Sequence, residues 1–181
     1  MHAVQASDIY MQVMQGTVTK NIDDRIIDFQ NQLVNDYADT PYAALSALAL
    51  AKVEYEKGNA ESAVAQLELA IKHANDDVIK QIASLRLASV YLEQKKYDEA
   101  LTLLNTKHDS AYDARYEELK GDLFSARGDV AEARAAYDKA IKLQGFAASK
   151  WLRLKRQNLG EAAAEKTGAV QSRVNSVHLP A

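Results

Sequence analysis

Apolar residues recur along this chain at the three- and four-residue intervals of a helix, not at the alternate positions of a strand. The clearest run is Ile22, Ile26, Phe29, Leu33 and Tyr37, one face of a helix over 21–37. A second helical stretch over 3–15 precedes it. Thr19 or Asn21 is the expected cap between the two. Asp39-Thr40-Pro41 closes the pair, and Pro41 suits the first turn of the next helix.

From position 44 one pattern repeats: a helix, a tight turn, and a second helix with alanine at a fixed place. The segments are 44–77, 81–114 and 114–147. Their turns read Lys57-Gly58-Asn59, Lys95-Lys96-Tyr97-Asp98 and Arg127-Gly128-Asp129. The anchoring alanines Ala63, Ala100 and Ala133 are 37 and 33 residues apart, close to the 34-residue tetratricopeptide period. The longer first interval is absorbed around Asn75-Asp76-Asp77, which reads as an inter-repeat turn. Small residues belong where antiparallel helices nearly touch: Ala51, Ala88 and Gly121 on the first helices, the anchoring alanines on the second. Leu50, Leu87, Tyr91, Phe124, Leu67, Leu104 and Tyr137 fill the space beside them. Gly58 and Gly128 stand where a left-handed residue ends the first helix. Asn59, Asp98 and Asp129 suit helix starts.

The expected fold is all-α: a tetratricopeptide-repeat (TPR-like) right-handed solenoid of helical hairpins. An N-terminal helical pair occupies 1–41. Three repeats and a capping helix over 146–159 occupy 42–159. Residues 160–181, small and polar, read as a mobile tail. The repeats depart from consensus at Lys95, where the others have glycine, and at Lys107 and Lys120. Ala47, Ser84 and Glu117 replace the usual tryptophan.

Composition narrows the function. Only 2 Pro and 7 Gly in 181 residues leave few breaks in the helices. A net charge of -3 exerts no global pull on nucleic acid or anionic lipid. With no cysteine, disulfides, thiolate zinc sites and thiol catalysis are excluded. His2, His73, His108 and His178 lie in separate segments without metal-ligand spacing; His73 and His108 fall near second-helix ends, where a cation meets the dipole. No hydrolase, dinucleotide or P-loop motif occurs. The expectation is no enzyme, no cofactor and no metal. Lys150, Arg153, Lys155 and Arg156 surround Trp151, Leu152 and Leu154. That mixture occurs in nucleic-acid and membrane-surface binders; the plainer expectation is that Trp151 packs on the last repeat and the charges face water.

In this repeat class the first helices line a groove. The candidate partner-binding positions are Leu45, Leu48, Lys52 and Tyr55 in repeat one, and Ile82, Leu85, Ser89 and Leu92 in repeat two. Arg115, Glu118, Asp122 and Ser125 correspond in repeat three. The basic and Asn set that clamps a C-terminal carboxylate is absent. A largely apolar groove suits an amphipathic helix or an unfolded apolar segment. Two readings stand: helices over 3–37 cover Leu45, Leu48 and Ile82, or the face stays open to a protein partner. No stretch reaches the roughly 20 apolar residues of a membrane span, and the first residues carry no signal-peptide pattern. The chain is then either cytosolic or begins downstream of a membrane anchor.

Several stretches carry a resemblance. They are 42–51, Leu85-Arg86-Leu87-Ala88, Leu119-Lys120-Gly121-Asp122, Gly128-Asp129 with 133–137, and Leu154-Lys155-Arg156-Gln157-Asn158-Leu159. Together they resemble the ancillary subunit of the bacterial SecYEG translocon, the YfgM-like family. The resemblance implies a scaffold or chaperone-like adaptor on the periplasmic face of the inner membrane, held there by an N-terminal anchor. It implies contact with translocon subunits, periplasmic chaperones or emerging chains, and no catalytic residues. The alternative is a soluble cytosolic adaptor of the same fold with an unrelated protein partner.

Overall fold

In the computed structural model, which describes residues 2–159, helices follow one another through short turns. They are α1 (His2–Thr19), α2 (Asp24–Asp36), α3 (Tyr42–Glu56), α4 (Ala60–His73), α5 (Asp77–Glu93), α6 (Tyr97–Leu104), α7 (Asp113–Arg127) and α8 (Val130–Gln144). Residues 150–159 form a further helix, α9. No strand occurs among the described residues. The fold is all-α and tetratricopeptide-like, as the apolar spacing implied. The tail expected over 160–181 lies outside the described residues. The chain divides into two units, Met1–Thr106 and Lys107–Ala181.

In the first unit α3 is buried almost all round, through Ala43, Ala44, Ser46, Ala47, Leu48, Leu50, Ala51 and Val53. Its alanines let helices approach on two sides. On one side Ala43 and Leu50 join Ala6 and Val13 of α1 and Ile26 and Leu33 of α2. On the other, Ala47, Leu48 and Ala51 join Leu67 and Ala70 of α4 and Ala83, Leu87 and Val90 of α5. Each fully buried leucine contributes about 1.5–3 kcal/mol of transfer free energy. The pair α1–α2 therefore packs on α3 through Ala43 and Leu50, while Leu48 belongs to the core with α4 and α5.

The ends of the helices carry the local corrections. The cap of α2 is Asp23, not Thr19 or Asn21: its carboxylate accepts from the Ile26 amide at 3.1 Å. Thr19 turns back and donates to the Gln15 carbonyl at 3.1 Å. Gly58 and Gly128 take φ of +83° and +93°, and Lys95 takes the same left-handed region at +61°. Asn59 and Asp129 stand at the starts of α4 and α8, but neither side chain caps its helix. Asn59 donates to Glu54 instead, and Asp129 pairs with Arg127. Asp76 does cap α5, accepting from the Val78 amide at 2.6 Å.

In the second unit α7 and α8 form a hairpin in which Gly121 packs directly against the ring of Tyr137. The Tyr137 hydroxyl donates to Asp122 at 2.7 Å. The segment expected to be helical from 146 instead forms a 3-10 turn, Gly145–Ala147, before α9. Ser149 then starts α9 by accepting from the Leu152 amide at 3.0 Å. Ala148, Leu152 and Leu159 pack with Ala133, Tyr137 and Ala140. Trp151, expected on the last repeat, is 62% exposed. Leu152 and Leu159, two turns apart, set the buried face, and Trp151 stands about 100° round from Leu152.

Candidate functional site

The tetratricopeptide arrangement places α3 and α5 as successive first helices, and between them lies a cavity of about 340 Å³. Its floor is apolar and comes from all three helices: Ala51 of α3, Leu67 of α4 and Val90 of α5. These side chains are already part of the core, so the floor is rigid. Its walls are polar and reach into solvent: Lys52 and Tyr55 from α3, Arg86, Ser89 and Glu93 from α5.

Each wall residue has a definite state. The Tyr55 hydroxyl donates to the Glu93 carboxylate, bridging the two helices at one end of the cavity. That hydrogen bond to Glu93, with burial adding to it, pushes the Tyr55 phenol above its ordinary value. The Ser89 hydroxyl donates to the Leu85 carbonyl at 3.0 Å within α5. Lys52 leans on Glu56 at 3.8 Å, while Glu56 is held more closely by Lys20 at 2.7 Å. The Arg86 guanidinium is exposed and has neither hydrogen bond nor ion pair among the described residues.

Of the eight candidate positions, Lys52, Tyr55 and Ser89 line this cavity. Leu48 lies in the core, 8% exposed, and Ile82 packs against the same cluster. Leu45, Leu85 and Leu92 are half-buried and do not line the cavity. Arg86 and Glu93, which sequence reasoning passed over, stand one position beyond Leu85 and Leu92. A helical side chain leans toward the helix N-terminus, so a surface spot is covered by the residue about one place C-terminal to it. That rule was the available signal.

The corresponding face of α7 is closed from within its own unit. Lys155 of α9 reaches Glu118 at 3.1 Å and Asp122 at 2.8 Å. Arg115 also holds Glu118, at 2.9 Å. Glu117 is held by Lys139 at 2.9 Å and by Lys120 at 3.5 Å; the Glu117 hydrogen bond raises the Lys139 ammonium. The Tyr137 hydroxyl is raised by burial first and then by its bond to Asp122. Thus Glu118 and Asp122, both expected to face the groove in repeat three, are occupied.

The basic residues of α9 are largely spent in the same way. Besides Lys155, Arg156 pairs with Asp138 at 2.8 Å, and Arg153 donates to the Gly145 carbonyl at 3.1 Å. They do not form the free cationic stripe of a nucleic-acid surface. His108 differs from the end-of-helix reading, whereas His73 keeps its place. His108 lies beyond α6, stacked on Tyr116 at 3.7 Å and paired with Asp113 at 3.1 Å. His73 is at the end of α4, yet burial, with Lys72 adding to it, lowers its basicity. Among the described residues no three His, Asp or Glu side chains gather as a metal-ligand set.

Comparison with known proteins bears on this geometry. The tetratricopeptide repeat-like domain family matches residues 1–161. A protein of Aggregatibacter actinomycetemcomitans named ancillary SecYEG translocon subunit is 30% identical over 129 residues, 71% of this chain and 63% of that protein. Its namesake in Escherichia coli (strain K12) is 34% identical over 101 residues, 56% of this chain and 49% of that protein. The one in Neisseria gonorrhoeae is 30% identical over 112 residues, 62% of this chain and 54% of that protein. The chain thus spans about half to three fifths of the length of these curated relatives. No solved structure matches it.

Proposed function

The chain belongs to the tetratricopeptide repeat-like domain family, and from that premise we propose that it is a non-catalytic docking module that holds a polypeptide segment in the groove between α3 and α5. The observation that carries this is the contrast between two faces. The α3–α5 cavity is open over an apolar floor of Ala51, Leu67 and Val90, whereas the equivalent face of α7 is filled by Lys155. An open cleft with an apolar base and a polar rim is what a protein segment needs for docking.

The partner class follows from the relatives. Proteins named as ancillary subunits of the SecYEG translocon support a place for this module at the Sec translocon. We take translocon subunits, periplasmic chaperones or emerging chains as what it holds, and the periplasmic face of the inner membrane as the site of action, as the family resemblance of the sequence implies. Among the described residues no helix is long and apolar enough to cross a membrane.

Site-specific photo-crosslinking in cells tests the proposal. A photoreactive residue at Ser89, inside the cavity, should crosslink to translocon subunits or their associated chains. One at Val78, 49% exposed in the first turn of α5 and outside the cavity, should not. Translocon crosslinks from Val78 with none from Ser89 would move the docking surface elsewhere. No translocon-derived crosslink from either position, with the protein expressed and folded, would overturn the association.

A further inference from the structure

The groove has a charge pattern as well as a shape, and the pattern names the chemistry of its occupant. Resting on the docking reading above, we propose that the α3–α5 groove selects segments in which an apolar side chain neighbours an internal Asp or Glu. The apolar group sits on Ala51, Leu67 and Val90, and the carboxylate is taken by Arg86, with Lys52 as the second cation of the cavity.

Three observations carry this. First, Arg86 lines the cavity with its guanidinium free of any described partner. Lys155, Lys139 and Arg156, by contrast, are each paired with a carboxylate. A planar guanidinium offers two parallel donors to a carboxylate. Second, the other cation of the cavity, Lys52, is held only loosely, at 3.8 Å from a Glu56 that Lys20 approaches to 2.7 Å. Lys52 is therefore available to turn toward the same anion. Third, Glu93, the one carboxylate of the cavity, is engaged by the Tyr55 hydroxyl. Arg86 and Glu93 are two turns apart on α5, about 10 Å along the helix.

The groove is thus polarised along α5, cationic at the Arg86 end and anionic at the Tyr55–Glu93 end, with Lys52 one turn before Tyr55 on the facing helix. An acidic residue of the occupant is drawn to the first end and repelled from the second, which fixes direction as well as composition. The set of basic and Asn residues that captures a chain terminus is missing, and Ser89 spends its hydroxyl within α5. The carboxylate is therefore that of a side chain.

The probes are three synthetic peptides of about four helical turns, acetylated and amidated, with leucines at helical spacing. They differ only at two positions beside the leucines, which carry Glu, Gln or Lys. Titration of the isotopically labelled protein followed by NMR reads binding at Ser89 and Val90 even when affinity is weak. The Glu peptide should bind about three- to tenfold more tightly than the Gln peptide, the range of one or two partly exposed ion pairs, and the Lys peptide least. Arg86→Glu, an exposed change that leaves the thermal melt in place, should reverse the order of the Glu and Lys peptides. A fourth probe, the Gln peptide with a free C-terminal carboxylate, binding as tightly as the amidated Glu peptide would point to terminus capture and overturn the inference. Equal binding of all three peptides, unmoved by Arg86→Glu, would overturn the charge selection while leaving groove docking intact. Shifts confined to other surfaces would overturn the inference, and the Ser89 crosslinks then decide groove docking separately.

Discussion

Gly121 lies so close to the ring of Tyr137 that a β-carbon at position 121 would stand 2.4 Å from Cδ1 and Cε1 of that ring. The ring has little freedom to retreat, because its hydroxyl donates to Asp122 at 2.7 Å and the residue is 3% exposed. Gly121→Ala should therefore destabilise the α7–α8 hairpin. The overpacking penalty of about 1–3 kcal/mol outweighs the gain of about 1 kcal/mol in helix propensity at most of that range. Urea unfolding should show a lower midpoint. A midpoint at or above the parent value would show that Tyr137 moves freely.

Lys95 supplies the opposite sign. It occupies the left-handed region at φ +61°, where Gly58 and Gly128 serve the other two hairpins. A residue with a side chain pays about 1–2 kcal/mol there, and glycine gives back part of that gain through a freer unfolded chain. Lys95→Gly should stabilise the first unit by about 0.5–1 kcal/mol. Thermal unfolding checks it, and a lower melting temperature would mean that the Lys95 side chain makes a compensating contact.

These two positions show where sequence reasoning is strong and where it stops. The spacing of Ala63, Ala100 and Ala133, all fully buried, was legible because close helix packing admits only small side chains. The helix ends were less legible. Asp23, Asn21 and Thr19 are all competent caps, and three-dimensional closure of the α1–α2 turn decides among them. The phase of α9 failed on Trp151 because apolar size ranks it above Leu152, whereas the buried face follows Ala148, Leu152 and Leu159. On α5, spacing marked Leu85 and Leu92, and the lean of helical side chains puts Arg86 and Glu93 in the cavity instead. The ion pairs that close α7 depend on a lysine 37 and 33 residues away from its two partners, which no local pattern reports.

His73 gives a pH dependence. Its Nε2 is buried without a hydrogen-bond partner, and burial, with Lys72 adding to it, lowers its folded-state value from the ordinary 6.5. Between the lowered value and 6.5 the unfolded chain binds more protons than the folded one. Stability is therefore full above that window and declines as pH falls from 6.5 through the folded value. His73→Gln should remove this part of the slope. Urea midpoints measured on both sides of pH 6.5 should show the parent losing stability relative to His73→Gln as pH falls; parallel profiles would exclude His73 as the source.

Lys155 closes the face of α7 against two carboxylates, and its removal leaves them with less than they need. The Glu118 side chain is 11% exposed and the Asp122 side chain 27%, with Lys155 itself at 20%. Breaking a fully buried pair costs about 3–5 kcal/mol through the charge left behind. Partial exposure here, and the second cation that Arg115 offers Glu118 at 2.9 Å, bring the expected loss for Lys155→Met to about 2 kcal/mol. Lys150→Met, at an exposed position of the same helix, should change stability by less than about 0.5 kcal/mol. Denaturation curves of the two variants and the parent at neutral pH test both points. A Lys155→Met protein as stable as the parent at neutral pH would mean that water serves Glu118 and Asp122 as well as the ammonium does, and that the α7 face is open to partners after all.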